Sequence, residues 1–152
     1  MSTEHESRLG HRAWLRIGLL YLAATTLNGS LWALPFPRSF YDDFPLPGRE
    51  WVSALGPYNE HLIRDYGALS LALGVLLVLA AIFLDRRLVQ SSLIAWLGWA
   101  VPHFVFHVAQ VHFFSTLDNL AQLGGLGFEV LLPLALLALT GARGGPRTYG
   151  GT

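Results

Sequence analysis

Long runs of apolar residues, broken by short polar patches, dominate the pattern of this chain. A membrane-crossing helix needs about 20 mostly apolar residues. Four stretches reach that length: residues 14–34, 62–84, 89–112 and 116–140. The first is the least apolar, with Thr25, Thr26, Asn28, Gly29 and Ser30 in its second half. Asp85, Arg86 and Arg87 make a tight polar turn between the second and third. Asn59 followed by Glu60 is an N-cap with an acidic first turn. Ser115 and Asp118 have the spacing of a capping box. The pattern therefore predicts an all-α fold, a four-helix transmembrane bundle with a long outer loop, 35–61, between helices one and two. Residues 1–13 form an N-terminal tail, and the Gly-rich segment 141–152 is expected to be a disordered tail.

Arginine placement orients the bundle. Arg8, Arg12 and Arg16 precede the first stretch, Arg86 and Arg87 separate the second and third, and Arg143 and Arg147 follow the fourth. Arg38, Arg49 and Arg64 on the other side are diluted by Asp42, Asp43, Glu50 and Asp118. The positive-inside rule puts both termini in the cytoplasm. Ala33-Leu34-Pro35 is a poor cleavage site, so the first stretch is expected to stay as a span. In the outer loop, Pro35, Pro37, Pro45, Pro47 and Pro57 forbid one continuous helix. Its aromatic residues suit a headgroup layer. Arg49 to Leu55 has the makings of a short interfacial helix, and the loop reads equally as a lid or as a plain connector.

Composition agrees with the pattern. The chain has 152 residues, 53% of them hydrophobic and 13% charged, against roughly 25% charged in a soluble domain. Net charge is zero, so nothing recruits nucleic acid, and the expected partner is the lipid bilayer. A membrane-protein partner or a second copy remains open. Cysteine is absent, which removes thiol redox chemistry and thiolate metal ligands. All ten basic residues are Arg. GC-rich coding is the simplest account, and the expected location is a bacterial plasma membrane.

Ionisable side chains inside spans usually face the bundle interior and often mark function. His103, His107 and Gln110 share one face of the third helix, continuing the line of Trp96 and Trp99. Gln122 and Glu129 share a face of the fourth, and His61 and Asp65 a face of the second. Tyr21, Thr25, Asn28 and Trp32 form a similar stripe on the first. At the helical rise, His103 and Glu129 fall at about the same depth. The expected pocket-binding set is Asn28, His61, Asp65, His103, His107, Gln110, Gln122 and Glu129, in the outer half of the bundle. Pro102 and Pro133 strip the carbonyls of Gly98 and Glu129 of their helical donors. Gly124, Gly125 and Gly127 are expected to admit a close neighbouring helix.

The spacing of His103 and His107 suits a divalent metal, with Glu129 and Asp65 as further ligands from neighbouring helices. His103 or His107 with His61 suits a haem instead. Three functional readings stay open. The first is a non-enzymatic membrane or accessory protein whose polar stripes hold helices together. The second is a metal- or haem-binding redox enzyme using His103 and His107. The third is a carrier or sensor for a small outer-side molecule.

Two stretches carry a resemblance: Pro57-Tyr58-Asn59-Glu60-His61-Leu62-Ile63-Arg64-Asp65-Tyr66-Gly67-Ala68 and Val101-Pro102-His103-Phe104-Val105-Phe106-His107. With the all-Arg usage, they resemble uncharacterised four-helix membrane proteins of actinobacteria. The layout is also similar to the DoxX-like group, as topology only. Both imply a four-helix membrane bundle, and neither supplies a catalytic residue. The missing cysteines set the chain apart from four-helix quinone-linked thiol oxidoreductases.

Overall fold

A computed structural model describes residues 2–141, with side chains from residue 10 onward. The tail expected to be disordered lies, beyond Gly141, outside the described residues. Within them the fold is all-helical, with no strand. The five helices are α1 (Ser2–Ala33), α2 (Pro37–Asp43), α3 (Glu60–Phe83), α4 (Arg86–Ala109) and α5 (Thr116–Gly141), with short 3-10 turns at Ser53–Leu55 and Val111–Phe113.

Three of them, α3, α4 and α5, are each long and apolar enough to cross a membrane. The segment Gly10–Ala33 passes that test only together with Pro37–Asp43, to which it is bent by 116°. Its Thr, Asn and Ser residues explain why α1 falls short alone. The helix of α1 begins at Ser2 and runs through the residues of the expected tail 1–13.

Local chemistry sets the helix ends. The Asn59 side chain accepts from the Leu62 amide at 3.2 Å, and Asp85 from the Leu88 amide at 3.0 Å. Ser115 Oγ accepts from the Asp118 amide at 3.1 Å and donates to its carboxylate at 2.6 Å. Pro35 cannot donate to a helix, so α1 stops at Ala33 and the chain turns sharply. Pro37, at the start of α2, needs no donor there. The interfacial helix expected over Arg49–Leu55 shrinks to the single 3-10 turn at Ser53–Leu55.

The helices pair as α1 with α3 and α4 with α5. Small residues bring the first pair together. A Cβ added at Gly74 would lie 2.6 Å from Leu27 Cδ2, and one at Gly67 would lie 2.8 Å from Leu34 Cγ and 3.2 Å from the Leu34 backbone nitrogen. The two pairs meet at the end carrying the α3–α4 turn. There Leu19, Leu22, Leu77, Leu93, Trp96 and Leu136 are buried in one apolar core. Gly18 sits on Leu136 at this end, and Tyr21 meets Phe128 edge-on at 5.3 Å. Toward the opposite end, where the 34–59 loop lies, the core gives way to a cavity.

A second cluster closes that loop end. Phe40 of α2 is 4% exposed and packs with Ala33 and Ile63. Its ring stacks on Tyr66 at 5.4 Å and meets Phe44 at 4.8 Å. Tyr41 donates to the Gly56 carbonyl at 2.6 Å, folding the loop back on itself. Arg64 donates to the Leu34 carbonyl where α1 ends. The loop thus packs as a roof on the α1–α3 pair.

Candidate functional site: a roofed cavity at the loop end

The cavity has a volume of about 680 Å³ and draws lining from α1, α3, α4, α5 and the roof. Elementary packing explains its place. The stripe Gly67, Ser70 and Gly74 draws α3 onto α1, while bulkier rings fill the face of α4. With α1–α3 and α4–α5 joined at the turn end, the space between them widens toward the loop.

One wall is a ladder of rings along α4. Trp96 and Trp99 lie 5.0 Å apart. Trp99 stacks on His103 at 4.9 Å with 21° between planes, and His103 meets His107 edge-on at 4.7 Å. The i, i+3, i+4 spacing aligns these side chains on one helix face.

Across from it, α5 supplies Gln122 and Glu129. Pro133 has no N–H for the Glu129 carbonyl. Trp96 supplies it instead, donating Nε1–H to that oxygen at 2.9 Å. This bond ties the ladder to the turn of α5 that carries Glu129. The Glu129 carboxyl lies within reach of Thr25 of α1. The Gln122 amide lies alongside the His107 ring, yet Gln122 Nε2 and His107 Nδ1 are buried without a hydrogen-bond partner. Gln122 is 3% exposed.

The roof is fastened to the far pair at one point. Asp118, at the start of α5, accepts from Arg49 Nη1 and from Trp51 Nε1, both at 3.0 Å. So the 34–59 loop packs on α1–α3 and latches to α5. At its rim, Tyr58 donates to Glu60 at 3.3 Å. Partial desolvation, and then the Glu60 carboxylate, raise the Tyr58 pKa above its ordinary value, so the phenol stays a donor.

Of the expected residues, Asn28, His103, His107, Gln122 and Glu129 line this one cavity. Three do not. His61 and Asp65 pair with each other at 3.0 Å, on side chains 87% and 57% exposed. The buried face of α3 runs through Ile63, Gly67, Ser70 and Gly74, and His61 and Asp65 lie on the opposite side. Gln110 leaves the stripe because α4 ends at Ala109 and the chain turns. The haem pairing with His61 is therefore not formed. Nor is a three-ligand metal set: among the described residues no group of three or more His, Asp or Glu is gathered to hold a metal ion. His103, His107 and Glu129 share the cavity without converging on one point.

The glycine face of α5 also differs from expectation. A Cβ at Gly124 or Gly125 would meet nothing within 4 Å, and one at Gly127 only Phe104 at 3.7 Å. Only the Phe104 ring of α4 reaches this face, with no backbone in close approach, and Gly125 borders the cavity instead.

Other lining residues were not in the expected set, among them Thr25, Tyr66, Ser70, Trp99 and Trp51. For Tyr66 and Ser70 the small-residue stripe of α3 was the signal, because it marks which face of α3 turns inward; Thr25 and Trp99 lie on the polar and aromatic stripes of α1 and α4. Gly29 gives Tyr66 its place: a Cβ there would fall 2.7 Å from the Tyr66 hydroxyl. Comparison with family models, with curated proteins and with solved structures returns no match for this chain.

Proposed function

We propose that this chain is a four-pass membrane protein that binds a small molecule in the roofed cavity, as a carrier or sensor and not as an enzyme. On this reading α1 with the bent α2 counts as the fourth span, the termini are cytoplasmic, and the roof faces outward in a bacterial plasma membrane. Membership of the actinobacterial four-helix group is part of the same proposal.

One observation carries the choice. Among the described residues, His103, His107 and Glu129 are not bonded to one another, and the approach of Glu129 to Thr25 and of His107 to Gln122 still leaves His107 Nδ1 and Gln122 Nε2 unpaired. Polar side chains that serve as helix glue are paired across the interface. Here they line about 680 Å³ of space, within the usual range for a small-molecule site. Buried polar atoms without partners, such as His107 Nδ1 and Gln122 Nε2, are the groups a ligand or water satisfies.

A thermal-shift screen of membrane-soluble compounds on the detergent-purified chain tests this. A ligand at 100 times its Kd adds about 2.7 kcal/mol of stability. The control is Gly125→Trp, which fills the cavity from a position where a Cβ meets no neighbour. Compounds should stabilise the natural chain and not the filled variant. Equal shifts in both, or none in either, would count against ligand binding in the cavity.

A further inference from the structure

The lining of the cavity has a charge asymmetry. It contains one carboxylate, Glu129, and neither Arg nor Lys. The nearby arginines are committed elsewhere: Arg49 to Asp118, Arg38 to Asp42 and Arg64 to Glu60. Glu129 enters no ion pair among the described residues. Thr25 of α1 lies within reach of its carboxyl, and the phenols of Tyr21 and Tyr66 are near enough to feel its charge. A charged carboxylate in such surroundings lacks the partner that its burial calls for.

The rest of the wall is suited to that partner. Tyr66, Trp99, Trp51, Phe44 and Phe106 surround the same space. Aromatic faces attract a cation within about 6 Å of the ring, most strongly where water is excluded. Trp96 Nε1 bonds the Glu129 backbone carbonyl and its ring neighbours Trp99, so the turn of α5 that carries the carboxylate is joined to the Trp pair, and all three side chains line the one cavity. A neutral imidazole offers hydrogen bonds without adding charge, and His103 and His107 bring two of them to the wall. An anion entering the cavity would meet Glu129 and find no cation. A neutral molecule would leave Glu129 unpaired. A small hydrated metal ion would waste the apolar wall and lacks a ligand set.

We propose that the cavity takes a lipophilic organic cation, a quaternary or protonated amine or a phosphonium with bulky apolar groups. Glu129 is its counter-ion, and Trp99 and Tyr66 are its aromatic wall. This rests on the ligand-binding reading above and gives that ligand a chemical class.

The test uses three probes of similar shape and different charge on the purified full chain in a neutral detergent, at about pH 8 so that both imidazoles are uncharged. They are tetraphenylphosphonium, tetraphenylborate and neutral triphenylphosphine oxide, measured by equilibrium dialysis. The expected result is saturable binding of the phosphonium, blocked in Gly125→Trp, with the borate and the oxide much weaker. Glu129→Gln should weaken phosphonium binding by about tenfold or more, the scale of losing a desolvated charged partner. Glu129→Asp should keep most of it. The comparison of probes on the natural chain stands even if a Glu129 variant does not fold. Binding of the borate or the oxide as tight as the phosphonium overturns this inference and leaves the ligand-binding reading in place. So does phosphonium binding that a folded Glu129→Gln retains in full. No saturable binding of any probe, joined to an empty thermal-shift screen, overturns both.

Discussion

Replacing Trp96 by Phe isolates the bond that ties the ring ladder to α5. Trp96 is 1% exposed, and its Nε1–H is the donor to the Glu129 carbonyl at 2.9 Å. Phe keeps an aromatic ring in the core but has no N–H. The orphaned carbonyl cannot fall back on its helix, because position 133 is Pro. Interhelical hydrogen bonds in membrane proteins are worth about 0.6 kcal/mol on average and roughly 1.7 at most. An acceptor with no second donor belongs near the upper figure. The smaller ring leaves a void that adds about 1 kcal/mol. Trp96→Phe should therefore cost about 2–3 kcal/mol. The decisive comparison is the same change in a Pro133→Ala background. An alanine at that position restores a helical N–H to the Glu129 carbonyl, so the cost should fall by about 1 kcal/mol. Dodecyl sulfate titration of the protein in mixed micelles, followed by far-UV circular dichroism, gives all four stabilities. If the two substitutions add to within about 0.3–0.5 kcal/mol, the Trp96 N–H does not stand in for the donor that Pro133 lacks.

The α1–α3 seam and the glycine face of α5 should respond oppositely to added methyl groups. Gly67→Ala forces a Cβ against the Leu34 backbone nitrogen at 3.2 Å and should lower the melting temperature, whereas Gly125→Ala meets open space and should gain up to about 1 kcal/mol of helix propensity. Asp118→Ala removes the acceptor shared by Arg49 and Trp51. It should cost about 1 kcal/mol or less, as surface pairs do, while speeding amide hydrogen exchange over 49–55 more than anywhere in the helices. His61→Ala should leave ligand-induced stabilisation unchanged, because His61 lies outside the cavity on the exposed face of α3.

The helices were legible because their signals are local. Apolar length and the caps at Asn59, Asp85 and Ser115 place α3, α4 and α5 to within a few residues. The prolines of the loop foretold that it would hold no long helix, and Pro37 indeed opens a short one. Pairings between distant elements were not legible. The bond from Trp96 to Glu129 joins residues far apart in sequence. That the freed carbonyl needed a donor follows from Pro133, but which donor does not. Asp118 read as a helix cap, and nothing local showed that it also holds the loop through Arg49 and Trp51. Periodicity showed that His61 and Asp65 share a face but not which way it points. The stripe Gly67, Ser70 and Gly74 answers that, because small residues mark the side where another helix comes close. Gly124 and Gly125 warn against using that rule alone, since their face meets no helix. For the cavity itself, the sequence indicated His103, His107, Gln122, Glu129 and Asn28. It left the loop open between a lid and a plain connector, and the packing of Phe40 on Tyr66 and Ile63 that makes it a roof comes from the tertiary fold.

The side of the membrane that each end of α1 occupies decides the architecture most directly. The chain has no cysteine, so single substitutions give the protein one thiol each. Arg12→Cys before the apolar part of α1, Leu46→Cys in the roof and Arg87→Cys at the α3–α4 turn all fall at exposed positions. Labelling of intact cells with a membrane-impermeant maleimide should modify Leu46→Cys alone, and the other two should react only after lysis. Labelling of Arg12→Cys together with Leu46→Cys in intact cells would put both ends of α1 on one side and contradict the four-pass architecture on which the roofed outer site depends.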